Sequence, residues 1–173
     1  MTKIFPILLV MLASCGVFQK NATTSNEVTS NAAANPVDQF KNALILAVQK
    51  NSMDHIAAYL PDVAAAKRIS PNETKDLPDN TIQTKMIDKL HGTLTEKLSD
   101  LHNYLIEKDV NVSSLKITNS KTEEVEQGEY TFTVLNLEVT DSDKSTKLGF
   151  FYKQFEEEIY LLDIILSRPV IHP

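Results

Sequence analysis

An α+β fold is predicted for most of this chain of 173 residues, with the helices first and an antiparallel sheet after them. Apolar residues recur every three or four positions from Val37 to Leu105, which is the period of amphipathic helices. After Asn111 the apolar period changes to two, which is the period of strands. A run of helices followed by a run of strands indicates an α+β layer architecture, and 42% hydrophobic residues are enough for one core.

Two helices are predicted before the longest one. The first ends at about Lys50, and its apolar stripe is Val37, Phe40, Leu44 and Val48. The second is capped by Asn51 or Ser52, and its apolar face is Met53, Ile56, Ala57 and Leu60. Pro61 either ends this helix or opens a new turn, and residues 70–80 are predicted to form a loop because they hold two prolines.

The third helix is predicted to be the longest element. Its apolar residues follow one another at steps of three or four, as one stripe on a helix of about 26 residues and ~40 Å: Ile82, Met86, Leu90, Leu94, Leu98, Leu101 and Leu105. Gly92 lies in the middle and is predicted to mark a bend or a close packing contact. A coiled coil is the alternative, but the stripe does not sustain the clean heptads that a coiled coil needs.

Four strands are predicted to form a bent antiparallel meander. They are Leu115 to about Val125, a second strand from Tyr130, then Ser145–Phe155 and Ile159–Arg168, with Glu156–Glu158 as a solvated hairpin tip. In the second strand the alternation slips by one between Val134 and Leu135, which predicts a β-bulge there. The last two strands carry large apolar groups on both faces. We therefore expect the helices to cover one face and a second subunit or the C-terminal tail to cover the other.

The first fifteen residues have the layout of a secretory signal peptide. Lys3 supplies a positive charge, residues 4–12 are apolar but shorter than the roughly 20 residues that span a bilayer, and two small residues precede Cys15. The run Leu12-Ala13-Ser14-Cys15 resembles the lipobox of bacterial lipoproteins. That resemblance implies cleavage before Cys15 and lipidation of its thiol, and Gly16 after it implies an outer-membrane location. A short buried helix with a core thiol and an ordinary secretory signal are the alternatives.

The chain after Cys15 does not begin with a folded element. Residues 16–35 are dominated by Asn, Thr, Ser and Ala, and such a segment buries too little apolar surface to offset the entropy of ordering. The predicted organisation is a signal peptide at 1–14, the lipidated Cys15 with a flexible tether at 15–35, one α+β domain at 36–168 and a C-terminal tail at 169–173.

Composition excludes several classes of function. The net charge is −6 and the longest basic run is Lys67-Arg68, so binding to a phosphate backbone is not expected and no nucleic acid is predicted as a partner. Four scattered glycines cannot form a phosphate-binding loop, and one cysteine allows neither a disulfide nor a multi-cysteine zinc site. His91 and His102 are about 16 Å apart along a helix, too far to share a metal ion. No metal and no cofactor are predicted.

The order of elements in residues 36–168 resembles the cone-shaped nuclear-transport-factor-2-like, or cystatin-like, fold. Closer still is the resemblance to uncharacterised lipoproteins of Bacteroidota that share this fold. In those proteins the segment matching Phe40–Leu60 is followed by a proline such as Pro61, and the last strand is similar to Ile159-Tyr160-Leu161-Leu162-Asp163. Their final hairpin often reads Asp-Gly-Lys-Trp, whereas this chain has Glu156-Glu157-Glu158-Ile159.

The resemblance also implies a candidate site. Enzymes of this fold, such as ketosteroid isomerase and the polyketide cyclases, use an Asp or His inside the cone beside a Tyr, and apolar walls set the pKa of the carboxyl. The matching candidate here is Asp163, with the tyrosines that could join it: Tyr104, Tyr130 and Tyr152. The alternative is that Asp163 caps a loop or pairs with Arg168 or a lysine.

Three functions are compatible with the sequence. The leading hypothesis is a non-catalytic cell-envelope module that is held to the membrane by the lipid on Cys15 and binds a small apolar ligand or an envelope protein. It leads because no convergent catalytic set is visible. The second hypothesis is an isomerase-like or cyclase-like enzyme with Asp163 as its base, and the third is a structural subunit that forms a homodimer through the sheet.

Overall fold

The computed structural model describes residues 35–166, which lie within one compact unit of the chain, Ala33–Pro173. The predicted signal peptide, Cys15, nearly all of the tether and the C-terminal tail fall outside the described residues. Their structure and lipidation therefore remain predictions.

Five α-helices precede the sheet in the described part of the chain. They are α1 Pro36–Lys50, α2 Val63–Ile69, α3 Pro71–Thr74, α4 Asp79–Ile82 and α5 Asp88–Glu107. A 3₁₀ helix, Met53–Tyr59, follows α1, and a π-helical stretch, Gln83–Ile87, joins α4 to α5. A shorter 3₁₀ turn, Val112–Ser114, leads into the sheet.

The ends of α1 are set by asparagines. Asn35 Oδ1 accepts a hydrogen bond from Val37 N at 3.0 Å, and Pro36 follows in the first turn, where a missing N–H is not needed. Asn51 ends the helix in the left-handed conformation, with φ of 48°. Ser52 then caps the 3₁₀ helix by accepting from Asp54 N at 3.2 Å. Asn51 and Ser52 thus have separate roles, one at each side of a tight turn.

The prediction of three helices before the sheet is wrong in detail. The second predicted helix is a 3₁₀ helix, and the predicted loop at 70–80 contains α3 and the start of α4. Prolines explain the division, because a proline interrupts a helix interior but is tolerated at a helix start. Pro61 lies between the 3₁₀ helix and α2, Pro71 begins α3, and Pro78 is the N-cap of α4.

The predicted long helix is present as one helical stretch over residues 79–107, with a π-helical segment inside it. Five leucines of the predicted stripe are buried: Leu90, Leu94, Leu98, Leu101 and Leu105. The expectation of a close packing contact at Gly92 is wrong. Gly92 is exposed, and a Cβ built there would meet no atom within 4 Å. The irregularity of the helix lies instead at the π-helical segment.

The sheet is a four-stranded antiparallel meander with the strand order β1-β2-β3-β4. Its strands are β1 Lys116–Gln127, β2 Tyr130–Thr140, β3 Ser145–Phe155 and β4 Glu158–Ile165. The predicted α+β class and four-stranded antiparallel sheet are confirmed. The sequence predicts a last strand up to Arg168, but β4 ends at Ile165.

The β-bulges lie elsewhere than the sequence predicts. Val134 and Leu135 pair with β1 and β3 without a shift in register, although both are buried. The shifts leave Thr118 unpaired in β1 and Leu162 unpaired in β4. The change in apolar alternation between Val134 and Leu135 has a different cause. At these two positions β2 buries one apolar side chain on each face of the sheet.

The main core lies between the helices and one face of the sheet. The helices contribute Phe40, Leu44, Leu94, Leu98 and Leu105, and the strands contribute Leu135, Leu137, Phe150, Tyr152 and Leu161. A smaller cluster of Ala66, Ile82 and Ile87 holds α2 against the start of the long helical stretch. Within residues 35–166, no helix combines the length and the apolar character needed to span a bilayer.

Candidate functional site

An open groove lies between α1 and the start of β1. Its volume is about 440 Å³, and its lining residues are Asn42, Ile45, Leu46, Gln49, Leu115, Lys116 and Ile117. Pockets that bind small ligands are commonly of this size and are lined mainly by apolar side chains with a few polar groups. The groove is therefore a candidate binding site.

The α1 side of the groove follows from helical spacing. Asn42, Ile45, Leu46 and Gln49 follow one another at steps of three, one and three, so they share one side of the helix. Phe40, Leu44 and Val48 point into the core instead. Ile45 is buried, whereas 43% of Leu46 is exposed. Leu46 is the one sequence signal that could have identified the groove, because it lies off the core stripe.

Three polar side chains line the groove: Asn42, Gln49 and Lys116. Gln49 Nε2 donates a hydrogen bond to Leu115 O at 2.9 Å, which ties α1 to the residue before β1. Lys116 is exposed and places an ammonium group at the rim. The lining contains two amides, one cation and aliphatic carbon, and it includes no carboxylate, histidine or thiol. The arrangement can bind an apolar group beside two amides and a cation.

Asp163 is held by an ion pair. Its Oδ1 lies 2.5 Å from Lys97 Nζ on α5 and also accepts a hydrogen bond from Ile164 N at 2.8 Å. Both side chains are about 70% buried, with 28% of Asp163 and 29% of Lys97 exposed. Pairing with a lysine is one of the structural alternatives that the sequence left open for Asp163.

The three candidate tyrosines lie in different environments. Tyr152 belongs to the core, where burial raises the pKa of its hydroxyl, and its ring centroid is 5.4 Å from that of Phe40. Asp163 pairs with Phe151, the neighbour of Tyr152, so the two candidates lie on opposite faces of the sheet. Register therefore separates this tyrosine from this carboxylate.

Tyr130 and Tyr104 lie near the ends of other elements. Tyr130 is the first residue of β2; burial raises the pKa of its hydroxyl, and so does the hydrogen bond that it donates to Glu73 Oε2 at 3.1 Å. Tyr104 lies near the end of α5, where Lys108 Nζ is 5.7 Å from the centre of its ring. Tyr130 thus connects α3 to the sheet, and Tyr104 contacts the lysine that caps the C-terminus of its own helix.

The two histidines of α5 hold that helix to its neighbours. His102 Nδ1 donates to Val48 O of α1 at 2.7 Å, and His91 Nε2 donates to Pro61 O at 3.2 Å. Each ring contacts a different segment of the chain. In the part of the chain that the structure describes, no group of three or more His, Cys, Asp or Glu could hold a metal ion.

A row of aromatic rings and cations crosses the tips of the β-hairpins. The Arg68 guanidinium lies 4.4 Å from the centre of the Phe155 ring and is paired with Glu158. Lys153 Nζ lies 5.7 Å from Phe155 and 5.9 Å from Phe132. These contacts attach α2 to the β3–β4 hairpin, so Glu158 is not only part of a solvated tip.

The fold defines this chain as an α+β protein whose helices cover one face of a four-stranded antiparallel sheet. No protein-family model matches the chain, and no curated protein matches it. One solved structure that is similar is a cystatin-like protein from Ruminococcus gnavus ATCC 29149, with 16% sequence identity and a TM-score of 0.45. The match covers 80% of this chain and 45% of that one.

The α+β assignment depends on the helices and the sheet register of this chain itself, and the chain spans about 45% of the length of the cystatin-like structure. The finer predictions of fold family and of cellular location therefore remain proposals.

Proposed function

We propose that this chain is a lipid-anchored, non-catalytic protein of the bacterial cell envelope that binds a small apolar ligand in the groove between α1 and β1. The observation that carries the binding role is the exposed Leu46 beside the buried Ile45 in a groove of about 440 Å³. Burial of apolar surface contributes about 25 cal/mol per Å², so an apolar ligand gains most where such side chains already face water.

The anchor is supported by the sequence around Cys15. The order Leu12-Ala13-Ser14-Cys15 after a short apolar stretch is that of a lipobox, and a lone thiol in an exported chain is otherwise unusual. One acyl chain alone gives only marginal membrane binding, so a residue that carries two or three chains is needed for stable attachment. Gly16 after the cysteine supports the outer membrane as the location.

The cystatin-like or nuclear-transport-factor-2-like family and an origin in Bacteroidota are part of the same proposal. They are supported by the apolar spacing over Phe40–Leu60, by Pro61 after it, and by the final strand with Asp163. The sheet meander after the helices is compatible with that fold.

The groove supports binding better than catalysis. An isomerase-like role needs a carboxylate that can take up a proton beside a tyrosine donor. Asp163 instead accepts hydrogen bonds from Lys97 and from Ile164, and Tyr152 lies on the other face of the sheet. No specific observation favours the enzyme.

The binding role is tested with the fluorescent apolar probe N-phenyl-1-naphthylamine. We expect the probe to bind the full chain and Leu46→Asp to weaken binding at least ten-fold, because a carboxylate then occupies the apolar edge of the groove. Ile106→Asp is the matched control, since Ile106 is an exposed apolar residue of α5 that does not line the groove. Equal losses in both variants, or no binding by the unmodified chain, would contradict the small-ligand role.

The anchor is tested separately by replacing Cys15. Cys15→Ser should release the chain from the membrane fraction and abolish labelling by a palmitate analogue, while the thermal midpoint of the folded domain stays unchanged. A Cys15→Ser chain that remains in the membrane fraction at unchanged apparent mass would show that no lipid on Cys15 holds it there.

A further inference from the structure

The outer edge of β1 has no strand beside it in the described part of the chain. β1 is twelve residues long and stands first in the strand order, and none of its residues is buried. Backbone N–H and C=O groups along such an edge are available to pair with another strand. Edge strands often carry charges that discourage pairing, so the pattern of charge decides whether this edge repels or attracts a copy of itself.

The regular part of the edge begins after the bulge at Thr118. From Asn119 to Gln127 each residue pairs in order with β2. Asn119, Lys121, Glu123 and Val125 therefore share one face, and Ser120, Thr122 and Glu124 share the other. Lys121 Nζ already lies 2.5 Å from Glu123 Oε1 on the same face.

Symmetry restricts how two copies of this edge can meet. Two β1 strands that pair antiparallel in one continuous sheet are related by a two-fold axis through the sheet. Residues that lie opposite each other are then on the same face of the sheet. This is possible only if one residue lies on the axis, opposite its own copy. With Thr122 on the axis, Lys121 lies opposite the partner's Glu123 and Thr122 opposite the partner's Thr122. Both are favourable cross-strand pairs. An axis through Lys121 or Glu123 would instead place like charges opposite each other.

We propose that β1 pairs antiparallel with β1 of a second copy of this chain, with Thr122 on the two-fold axis, to form a continuous eight-stranded sheet. The opposite charges of Lys121 and Glu123 favour this register. The registers with the axis at Lys121 or at Glu123 are disfavoured, because like charges would then lie opposite each other. A single edge pairing buries less surface than the roughly 1,200 Å² of a stable interface, so the dimer is transient in dilute solution. The proposal does not depend on the groove, and either can fail alone.

Cysteine cross-linking in the full chain tests the register. Directly opposite residues have Cα atoms about 4.5–5.5 Å apart, within the range of a disulfide, so Thr122→Cys should form a disulfide-linked dimer under oxidation. Glu126→Cys is the matched control on the same strand, because its own copy would lie eight residues away, or roughly 27 Å. The unmodified chain, whose one cysteine is Cys15, provides the baseline.

Charge reversal then separates pairing from random collision. Lys121→Glu should reduce the Thr122→Cys dimer at least about three-fold, and the added change Glu123→Lys should restore it, because opposite charges again face each other. Thermal melts establish that each variant is folded. Equal cross-linking at Thr122→Cys and Glu126→Cys, no dimer at Thr122→Cys, cross-linking to a different protein, or no rescue by the double reversal would overturn the proposal.

Discussion

Lys97 on α5 and Asp163 on β4 form an ion pair, with Nζ and Oδ1 2.5 Å apart across 66 residues of sequence. The pair joins the long helical stretch to the edge strand that carries the bulge at Leu162. It also occupies the carboxylate that the sequence singles out as a candidate base. The ion pair therefore has a structural role that can be measured.

Removing this ion pair should cost stability and leave ligand binding intact. We expect Lys97→Met and Asp163→Asn each to be destabilising, with a coupling free energy of about 1 kcal/mol in a double-mutant cycle by urea unfolding. The exposed pair Lys147–Glu138 is the control and should show a smaller coupling. A strong loss of probe binding in Asp163→Asn at unchanged stability would instead place Asp163 in a binding site.

Replacing Thr146 by valine should stabilise the protein. Thr146 is 3% exposed, and its Oγ1 has no hydrogen-bond partner among the described residues. Thr146→Val keeps the shape and removes a buried hydroxyl whose desolvation is not compensated, so we expect a gain of about 1 kcal/mol in the free energy of unfolding.

Thr74 provides the control for this substitution. It is equally buried, but its Oγ1 donates to Ser70 O at 2.8 Å. Thr74→Val should therefore lower the free energy of unfolding by about 1 kcal/mol. Losses of similar size in both variants would show that Thr146 also has a partner.

Glycine in place of Glu156, in the turn between β3 and β4, should stabilise the protein. Glu156 has φ of 55°, in the left-handed region that disfavours side chains, and it is followed directly by Glu157 and β4. We expect Glu156→Gly to raise the free energy of unfolding by about 0.5–1 kcal/mol, measured in urea. Glu157→Gly should give no such gain, because its φ is not positive. A loss of stability in Glu156→Gly would mean that the turn is not strained.

Asp141 should make stability depend on acid pH. Its carboxylate accepts hydrogen bonds from the backbone N–H groups of Asp143, Asn111 and Lys144, at 2.7, 2.6 and 2.7 Å, and these lower its pKa. A lowered pKa in the folded state stabilises the fold above the ordinary carboxyl pKa of about 3.9, and this contribution is lost as the pH falls through the lower value.

The comparison is between the unmodified chain and Asp141→Ala. At pH 7 the variant should have the lower urea midpoint, and the difference should shrink as the pH falls below about 4. Asp76→Ala, which removes a carboxylate at an exposed position, is the control for the loss of one negative charge. A midpoint difference between Asp141→Ala and the unmodified chain that does not change with pH would contradict the role of the charge.

Local patterns were sufficient for the order and type of most elements. The stripe of leucines from Leu90 to Leu105 is buried as predicted, and β3 has the bounds that the alternation predicts. Patterns were insufficient between Leu60 and Ile82, where closely spaced prolines and short polar runs leave too few residues per element for a period to be read. The sequence also does not predict the positions of the bulges. In β2, apolar residues on both faces produce a pattern like that of a slip in register, although the register is regular there.

The candidate site was harder to predict than the fold. Asp163 stands out in the sequence as a charge within an apolar run, but its partner Lys97 lies on the long helix, and nothing near it in the sequence indicates the pairing. The sequence does not predict the groove, because its two sides, α1 and Leu115, are far apart along the chain.

The sequence by itself determined the α+β class and the order of helices before strands, because both depend on periods and breakers that act over a few residues. It also supplies, in Cys15, the basis of the anchoring proposal. Only the tertiary structure decided that Lys97 neutralises Asp163, that Tyr152 lies in the core and that β1 lies at an edge of the sheet. These are contacts between residues far apart in the chain, which depend on how complete elements pack and pair.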